Sequence, residues 1–402
     1  MGIWIFVGLA ALGLVIRIVL VLSQRYHLRN NVIKTPTALP PVTVIRPLKG
    51  LDPDLTDNLR SLFSQDYPKF QVVLGALDSH DPALAKAREV AREYSQISST
   101  VVANGSQIGP NPKVANLANL YAHAQHEFIV ISDANVFLPP NYLKDLMAHL
   151  LQPGVELVSS PIQGARFASL GARLNALELN TFVMGGVVAM HRLVAGVCVV
   201  GKSMAFRRSV LEEIGGFANL AQYLAEDQIC GLEIASRGYR LALARQPVHN
   251  VLGKETVGQF WKRYLRWAQI RRAINLWGFL GEPLLNPVGL ALVFACAIPS
   301  SLTLATFAVA LILGSLLALL AERTLGIKER GVHYPLLILL ADGLLLASWV
   351  VALFYRKAKW RGQVFLIGPK TQILLPSKVK DGEDSSSAEK APVVALAPDP
   401  LG

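Results

Sequence analysis

Apolar stretches at both ends of the chain constrain its fold more than any other feature of the sequence. Residues 3–22 form one such stretch, and about 20 apolar residues are what a helix needs to cross the roughly 30 Å hydrocarbon layer of a membrane. Towards the other end, residues 288–320 and 335–354 are also long and apolar. We therefore predict a membrane protein whose remaining residues, of mixed composition, form a water-exposed domain.

A cleaved signal peptide is the alternative interpretation of the first stretch. A basic opening is missing and no small-x-small cleavage site precedes Arg25, so 1–24 is interpreted as a membrane anchor. Residues 287–355 are expected to hold two or three membrane segments, because Pro299-Ser300-Ser301 interrupts the first run. Basic residues follow the first and last segments, which predicts a multi-pass protein with its central domain in the cytosol, at the bacterial inner membrane. An even number of C-terminal crossings is favoured, with any third segment re-entrant.

The net charge of +11 has two possible explanations. Much of the excess lies in the membrane flanks and in 254–272, where Lys, Arg and Trp alternate. That mixture suits an anionic lipid surface or a diphosphate, so we expect no nucleic-acid partner. Residues 356–402 are predicted to be a cytosolic basic segment followed by a disordered tail.

Strand and helix patterns alternate through residues 41–257. β-Branched apolar runs predict strands at 42–48, 71–77, 100–103, 127–132 and 156–160. Helical patterns lie between them at 54–64, 82–95, 113–125 and 140–151. This alternation predicts an α/β domain with a Rossmann-like, mostly parallel sheet covered on both faces.

Charged side chains follow several of these strands. Arg46 and Lys49 come at the end of the first strand, Asp78 follows the second, and Asp133 ends the fourth. Because ligands of such sheets bind beyond the carboxyl ends of the strands, we expect Asp78 and Asp133 to point into one crevice. Arg46 and Lys49 lie in the loop after the first strand, where a solvated loop charge is the alternative interpretation. A helix N-cap is the plain alternative for Asp78, although Asp81-Pro82 already opens the next helix.

A second constellation follows further along. Asp227 lies in the first turn of a predicted helix, and 36 residues later the chain reads Arg263-Tyr264-Leu265-Arg266-Trp267. Arg263, Arg266 and Trp267 fall on one helix face, where two guanidinium groups can clamp phosphate oxygens. The segment 258–286 as a whole is predicted to be amphipathic and to lie at the membrane surface.

The stretches PVTVIRPLKGLDPDL, FSQDYPKFQVVLGALDSHDPA, GPNPKVANLANLYAHAQHEFIVISDAN, GKSMAFRRSVLEEIGGF, LAQYLAEDQ and RYLRW cover roughly residues 41–272. They resemble the ceramide glucosyltransferase family, membrane-bound inverting glycosyltransferases of the glycosyltransferase-A fold. The resemblance implies a UDP-sugar donor, glucose as the sugar and the hydroxyl group of ceramide as the acceptor, with Asp227 as general base.

The resemblance also implies a donor site. Asp78 would contact uridine, Lys113 would face the donor, and Arg46 and Lys49 would meet its phosphates. Asp133 would hold a divalent cation, Mg²⁺ or Mn²⁺, against the diphosphate. The chain departs from the Asp-x-Asp pattern of related enzymes because Asn135 is the third member, and Asn offers a carbonyl oxygen without charge.

Three alternatives remain open. Related bacterial enzymes with similar motifs glycosylate hopanoid polyols, and the sequence does not separate that acceptor from ceramide. A polysaccharide synthase is less favoured, because such chains usually carry more membrane spans and Gln at the position of Arg263. A non-catalytic lipid-binding homologue is the third alternative, with Asn135 as the first sign of decay. The sugar, the metal and the oligomeric state are also left open.

Overall fold

The computed structural model describes residues 2–328, 331–360 and 363–374. Its strands are β1 (Val42–Pro47), β2 (Phe70–Ala76), β3 (Ser98–Ala103), β4 (Phe128–Ser132), β5 (Val136–Phe137), β6 (Val155–Ser159), β7 (Ile162–Phe167), β8 (Ser203–Arg207), β9 (Arg240–Leu243), β10 (Val248–Gly253), β11 (Lys357–Trp360), β12 (Gln363–Ile367) and β13 (Ile373–Leu374). Its α-helices are α1 (Gly2–Asn30), α2 (Leu55–Phe63), α3 (Pro82–Glu93), α4 (Pro112–Tyr121), α5 (Tyr142–Leu150), α6 (Leu170–Glu178), α7 (Met184–Leu193), α8 (Arg208–Glu213), α9 (Gly216–Leu220), α10 (Glu226–Ser236), α11 (Val257–Ile274), α12 (Leu276–Leu280), α13 (Pro287–Ala297), α14 (Ser301–Thr324) and α15 (Tyr334–Phe354). A π-helical turn follows α6 (Leu179–Val183), and a 3₁₀ turn precedes α13 (Glu282–Leu285).

The main sheet has the strand order β3-β2-β1-β4-β8-β6-β9. Strands β3, β2, β1 and β4 are parallel to one another, while β8 is antiparallel to both of its neighbours. Every residue of β1 and β2 is buried, because apolar helices cover both faces of the sheet. The predicted fold class, α/β with a mostly parallel sheet, is confirmed. The antiparallel insertion of β8 was not predicted.

This insertion determines which residues meet at the carboxyl edge of the parallel strands. Because β8 runs against β4, its first residue lies beside the last residue of β4, and Ser203 pairs with Ser132. The residues just before β8 therefore lie opposite the residues just after β4. The backbone N–H of Asp133 donates to the carbonyl oxygen of Lys202 at 3.2 Å.

Within the part of the chain that the structure describes, three helices are long and apolar enough to cross a membrane, namely Ile3–Asn30, Ser301–Thr324 and Gly331–Phe354, which supports the prediction of a membrane protein. The helix α13 is apolar too, but its 11 residues extend only about 16 Å. The ring of Phe294 of α13 packs at a tilt against Phe6, and Gln24 donates to the carbonyl oxygen of Ala321. The helices α13 and α14 thus form a hairpin beside α1, in which α14 runs in the same direction as α1.

The helix α15 is attached to the α/β domain at both ends. At its start, the Tyr334 hydroxyl group bonds to Glu322, whose carboxylate also accepts two hydrogen bonds from Arg173 of α6 at 2.6 and 3.0 Å. Just after its end, the carbonyl oxygen of Tyr355 accepts from Gln269 of α11 at 2.8 Å. These contacts hold α15 alongside α11.

A buried ion pair joins the apolar helices α1, α13 and α15. Arg17 of α1 donates to Asp342 of α15 at 2.6 Å, and Asp342 also accepts from the backbone N–H groups of Val288 and Gly289 at 3.1 and 3.2 Å. Arg17 donates in addition to the carbonyl oxygen of Leu285 at 3.0 Å. A charge buried in an apolar setting needs such partners, and this pair fixes the start of α13 against two helices.

Strands β11, β12 and β13 form an antiparallel sheet in the segment that was interpreted as basic and cytosolic. Their apolar residues pack against Leu224, and the backbone of Leu224 donates to Thr371 at 2.9 Å. This small sheet therefore supports the chain directly before α10. The predicted disordered tail lies outside the described residues, which end at residue 374.

Candidate active site

The centre of the site is Asp133, at the carboxyl end of β4. Two lysines bind its carboxylate from opposite sides of the crevice. Lys113, in the first turn of α4, lies 3.1 Å from Oδ1, and Lys202 lies 3.0 Å from Oδ2. Lys202 also donates to the side-chain oxygen of Asn135 at 2.7 Å. The four side chains form one polar cluster, and each is partly or wholly buried.

Asp227 lies beside this cluster at the start of α10. Its Oδ2 accepts a hydrogen bond from the backbone N–H of Gly201 at 2.7 Å, and its Oδ1 accepts from the N–H of Gln228 at 2.8 Å. Glu226 next to it lies 3.0 Å from the Lys113 ammonium group. Lys113 therefore connects the carboxylate after β4 with the acidic start of α10, and the structure brings Lys113, Asp133, Asn135 and Asp227 together.

A close approach explains why position 201 holds glycine. A Cβ atom at Gly201 would lie 2.4 Å from Oδ2 of Asp227. The carboxylate could then not reach the backbone N–H group that now holds it. The sequence Gly201-Lys202 thus serves two functions, since its first residue leaves room for Asp227 and its second binds Asp133.

The charges of the cluster shift the pKa values of its members in different directions. Burial disfavours ionisation of Asp133, but Lys113 and Lys202 outweigh burial and hold its pKa well below the usual range. Burial likewise opposes the charge of Lys113, but the surrounding carboxylates raise its pKa above the ordinary value. Asp227 behaves differently, because burial and then the charge of Glu226 raise its pKa to about 6. At neutral pH Asp133 is a fixed anion, whereas Asp227 can exchange a proton.

The chemistry of a divalent cation site can be tested against these contacts. The ammonium group of Lys202 lies between the oxygens of Asp133 and Asn135, at 3.0 and 2.7 Å, so the two oxygens converge on one cationic position. A carboxylate and an amide oxygen suit Mg²⁺ or Mn²⁺. The two residues therefore fit the predicted metal, which would displace Lys202. Among the residues that the structure describes, no group of three or more His, Cys, Asp or Glu side chains could hold a metal ion, here or elsewhere.

The helix α11 carries the predicted arginine clamp. It begins with a capping box at Thr256 and Gln259. Arg263 donates to the buried carboxylate of Glu255 at 2.8 Å, while its Nε atom is buried without a partner among the described residues. Burial lowers the pKa of Lys202, Asp133 counteracts this lowering, and the positive charges of Lys113 and Arg263 add to it.

The two other members of this motif also lie on α11. Trp267 packs edge-on against Tyr264, with ring centroids 5.1 Å apart. Arg266 is partly buried and already has interaction partners within the protein.

Three residues that were predicted to bind the donor do not belong to the polar cluster around Asp133. Asp78 is exposed in the turn after β2, where its carboxylate accepts from the backbone N–H of His80 at 2.9 Å. Lys49 is exposed in the loop after β1. Arg46 is fully buried under the sheet and donates to the carbonyl oxygen of Asn58 at 2.7 Å and to Ser132 at 2.8 Å. The structure does not bring Arg46 to the surface of the crevice.

Three residues of the site escaped the sequence analysis. Lys202 and Gly201 precede a short strand, and Glu255 precedes the cap of α11. The signal for Lys202 was the pairing of β8 with β4, because that register puts the residue before Ser203 opposite the residue after Ser132. An antiparallel pairing between distant strands cannot be recognised from periodicity in one sequence.

The family model of "Glycosyl transferase family 21" matches residues 6–373 of the chain. Ceramide glucosyltransferase 3 of Caenorhabditis elegans is 28% identical over 283 residues, which are 70% of this chain and 61% of the relative. Ceramide glucosyltransferase of Komagataella phaffii is 26% identical over 319 residues, which are 65% of this chain and 62% of the relative. The chain thus spans about three fifths of the length of these relatives.

Among solved structures, a mannosyltransferase from Pyrobaculum calidifontis in complex with GDP-Man and Mn²⁺ is similar at a TM-score of 0.49 and 22% identity. The similarity covers 87% of this chain and 99% of that one.

Proposed function

Because the chain belongs to glycosyl transferase family 21, we propose that it transfers a hexose, glucose in the first instance, from a UDP-sugar to a hydroxyl group of ceramide in the membrane. One observation carries the proposal. A half-buried carboxylate with a raised pKa, Asp227, lies beside a lysine–carboxylate cluster, and an arginine-bearing helix of the same domain packs on apolar helices. The names of the relatives support ceramide as acceptor and glucose as sugar.

Asp227 is the proposed general base. In a single displacement, the acceptor oxygen attacks the anomeric carbon, the bond to the diphosphate breaks, and the proton of the hydroxyl group passes to the Asp227 carboxylate. Attack opposite the leaving group inverts the anomeric centre. The two backbone N–H groups that bind Asp227 fix its orientation, and its pKa of about 6 keeps it ionised but basic at neutral pH.

Positive charge is needed where the diphosphate leaves. We propose that this charge comes from Lys113, Lys202 and the clamp of Arg263 and Arg266. Trp267 is proposed to close the site on the acceptor side. The unpartnered Nε of Arg263 is a donor that a phosphate oxygen can satisfy. Asp133 and Asn135 would hold Mg²⁺ or Mn²⁺, which supplies charge neutralisation of the diphosphate.

The residues proposed to bind the nucleotide are mostly exposed. Asp78 and Lys49, both exposed at the carboxyl edge of the sheet, are proposed to contact uridine and phosphate respectively. Arg46 is proposed to act on the donor only through Ser132, the residue before Asp133, because its guanidinium group is buried.

We also propose that the protein is multi-pass, with the α/β domain in the cytosol, at the bacterial inner membrane. Arg25 and Arg29 at the end of α1, and Arg356 and Lys357 after α15, support one common side by the positive-inside rule. The test is labelling of a single cysteine introduced on the exposed surface of α3. Inverted membrane vesicles should expose it to an impermeant maleimide, and sealed spheroplasts should protect it.

The activity is tested with the full chain in detergent. Radiolabelled UDP-glucose, UDP-galactose, UDP-glucuronate and UDP-N-acetylglucosamine are offered separately, with ceramide or a hopanoid polyol as acceptor, and Asp227→Asn is the isosteric control. Label in ceramide that disappears in the variant supports the proposal. Label in the hopanoid alone replaces the acceptor, a polymeric product indicates a polysaccharide synthase, and no product from any donor favours a non-catalytic homologue.

A further inference from the structure

The helix α15 has the length and composition of a helix that crosses a membrane, but its position in the fold differs from that of such a helix. Its 21 residues extend about 31 Å, which is close to the thickness of the hydrocarbon layer. A helix that crosses this layer has its two ends on opposite sides of the membrane. The groups that contact the two ends of α15 therefore decide whether it crosses.

Both ends of α15 contact the α/β domain. At its start, the guanidinium group of Arg173 of α6 lies over the ring of Tyr334, 5.4 Å from the ring centroid. Just after its end, the side-chain amide of Gln269 of α11 donates to the carbonyl oxygens of Tyr355 and Lys357, at 2.8 and 3.2 Å. Because α6 and α11 pack against each other, the two ends of α15 lie on the same side.

The helix α11 lies beside α15 between these two ends. The first half of α15 shares an apolar cluster with Phe260 and Tyr264, and Ala352 near its end shares another with Ala268. The charged residues of α11 are Lys262, Arg263, Arg266, Arg271 and Arg272. Such charges are costly in the interior of a bilayer, so α11 stays at the membrane surface or outside it. Since α15 is packed along α11, it stays there too.

The two faces of α15 differ in exposure. The residues of its buried face are Tyr334, Leu337, Ile338, Ala341, Asp342, Leu345, Ser348 and Ala352. On the opposite face, exposed residues recur at intervals of three, four or seven and form one exposed stripe, namely Leu336, Gly343, Ala347, Val350 and Phe354. The side chains near its two ends are the most exposed, at 71% for Leu336 and 83% for Phe354. Within the part of the chain that the structure describes, nothing covers this apolar stripe.

The residues near the end of α15 are typical of a membrane surface. Trp277 of α12 is 82% exposed, and α12 packs against α15 through the stacked rings of Phe279 and Trp349. Arg356, directly after Tyr355, is exposed as well. Trp is enriched where a membrane meets water, and Arg attracts anionic headgroups. These neighbours indicate that the exposed stripe faces lipid.

We propose that α15 does not cross the membrane but lies in its surface, with the exposed stripe among the acyl chains of the leaflet nearest the α/β domain. The partner is the lipid surface in general, because the stripe offers apolar contact only. The helices α11 and α15 then form one amphipathic layer, to which α15 contributes the apolar side and α11 the charged side.

The sidedness of the two ends of α15 tests the proposal. Single cysteines are introduced as Val332→Cys and Arg356→Cys, both at exposed positions, in the full chain with its three natural cysteines changed to alanine. Ala85→Cys on the exposed surface of α3 is the reference for the side of the α/β domain. Pro299→Cys, between α13 and α14, is the control for a position away from that domain.

An impermeant maleimide is applied to sealed spheroplasts and to inverted membrane vesicles. Val332→Cys and Arg356→Cys should both be labelled in whichever preparation labels Ala85→Cys, because both ends of α15 contact the same domain. Pro299→Cys should not be labelled in that preparation.

The depth of the exposed stripe is the second measurement. An environment-sensitive dye is attached to a cysteine at Leu336, Ala347 or Phe354, and lipids with a spin label near the headgroup or near the bilayer centre quench it. A helix in the surface gives all three positions a similar depth, about 5–10 Å into the boundary between headgroups and acyl chains. A crossing helix would place Ala347 about 10–16 Å deeper than the two end positions.

Labels on Val332→Cys and Arg356→Cys in opposite preparations overturn the proposal, because α15 then crosses the membrane. A dye at Ala347 that lies deeper than both end positions does the same. Dyes that neither spin label quenches refute the contact with lipid, since water or protein then covers the stripe. Neither measurement depends on sugar transfer or on which side of the membrane holds the α/β domain, so the outcome is separate from that of the proposed function.

Discussion

The proposed base predicts how the rate of transfer depends on pH. Asp227 must be ionised to accept a proton, and its pKa is about 6 because burial and Glu226 both oppose its charge. The ionised fraction is then about ten elevenths at pH 7 and about one eleventh at pH 5. We expect kcat/KM for the donor, which reports the free enzyme, to fall about tenfold between these pH values. Transfer of radiolabel at low donor concentration, from pH 5 to 8, measures it.

The variant Glu226→Gln tests whether Asp227 causes the fall in rate at low pH, which is the acid limb of the pH profile. Loss of the neighbouring charge lowers the pKa of Asp227, so the acid limb should move to lower pH and the variant should keep more of its rate at pH 5. Asp227→Asn should be slower by about 10²- to 10⁴-fold without the limb. Thermal melting at pH 7 controls for folding. An acid limb that stays at the same pH in Glu226→Gln refutes the assignment of that limb to Asp227.

Gly201→Ala should reduce transfer about 100-fold with donor affinity preserved in calorimetry, because the new methyl group pushes the Asp227 carboxylate from its position. Lys202→Met should bind Mn²⁺ more tightly in a titration followed by electron paramagnetic resonance, since the competing ammonium group is gone; equal or weaker binding would contradict the cation site. Arg17→Met should cost about 3–5 kcal/mol, measured as a lower melting temperature in detergent, because it leaves Asp342 buried without its counter-ion. The double variant with Asp342→Met should recover most of that loss, and no recovery would argue against the ion pair as the cause.

The parallel part of the sheet could be predicted because its information is local. Strands β1 to β4 are short runs rich in β-branched and other apolar residues between helical patterns, and the structure has them within two residues of the predicted bounds. The contact of Asp133 with Lys113 was not predicted, because Lys113 was singled out only through the family resemblance. Sequence periodicity was sufficient for the strands, and the rule for strand ends for the position of Asp133.

The remaining features depend on long-range pairing. Whether a charged residue at a strand end points into the crevice or beneath the sheet depends on which side of the strand it occupies and on what covers it. Arg46 is the last but one residue of β1 and is enclosed by α2 and β4, where Asn58 and Ser132 satisfy it. Nothing in the residue pattern around Arg46 indicated those partners. The sheet of β11 to β13 was missed for a similar reason, because its stability comes from packing on Leu224, far away in sequence.

Two sides of α11 carry different groups, and this arrangement bears on the proposed function. Arg263 and Tyr264 are consecutive residues of this helix, so their side chains leave its axis about 100° apart. Arg263 is half-buried and pairs with Glu255, whereas Tyr264 is fully buried among apolar residues of α13, α14 and α15. Because α11 packs along α15 and Gln269 donates to the carbonyl oxygen of Tyr355 just after that helix, the spacing of the two sides is fixed by a rigid helix. Under the proposed function, an acceptor lipid on the apolar side would lie at a constant distance from the proposed diphosphate clamp, which is the condition for in-line attack.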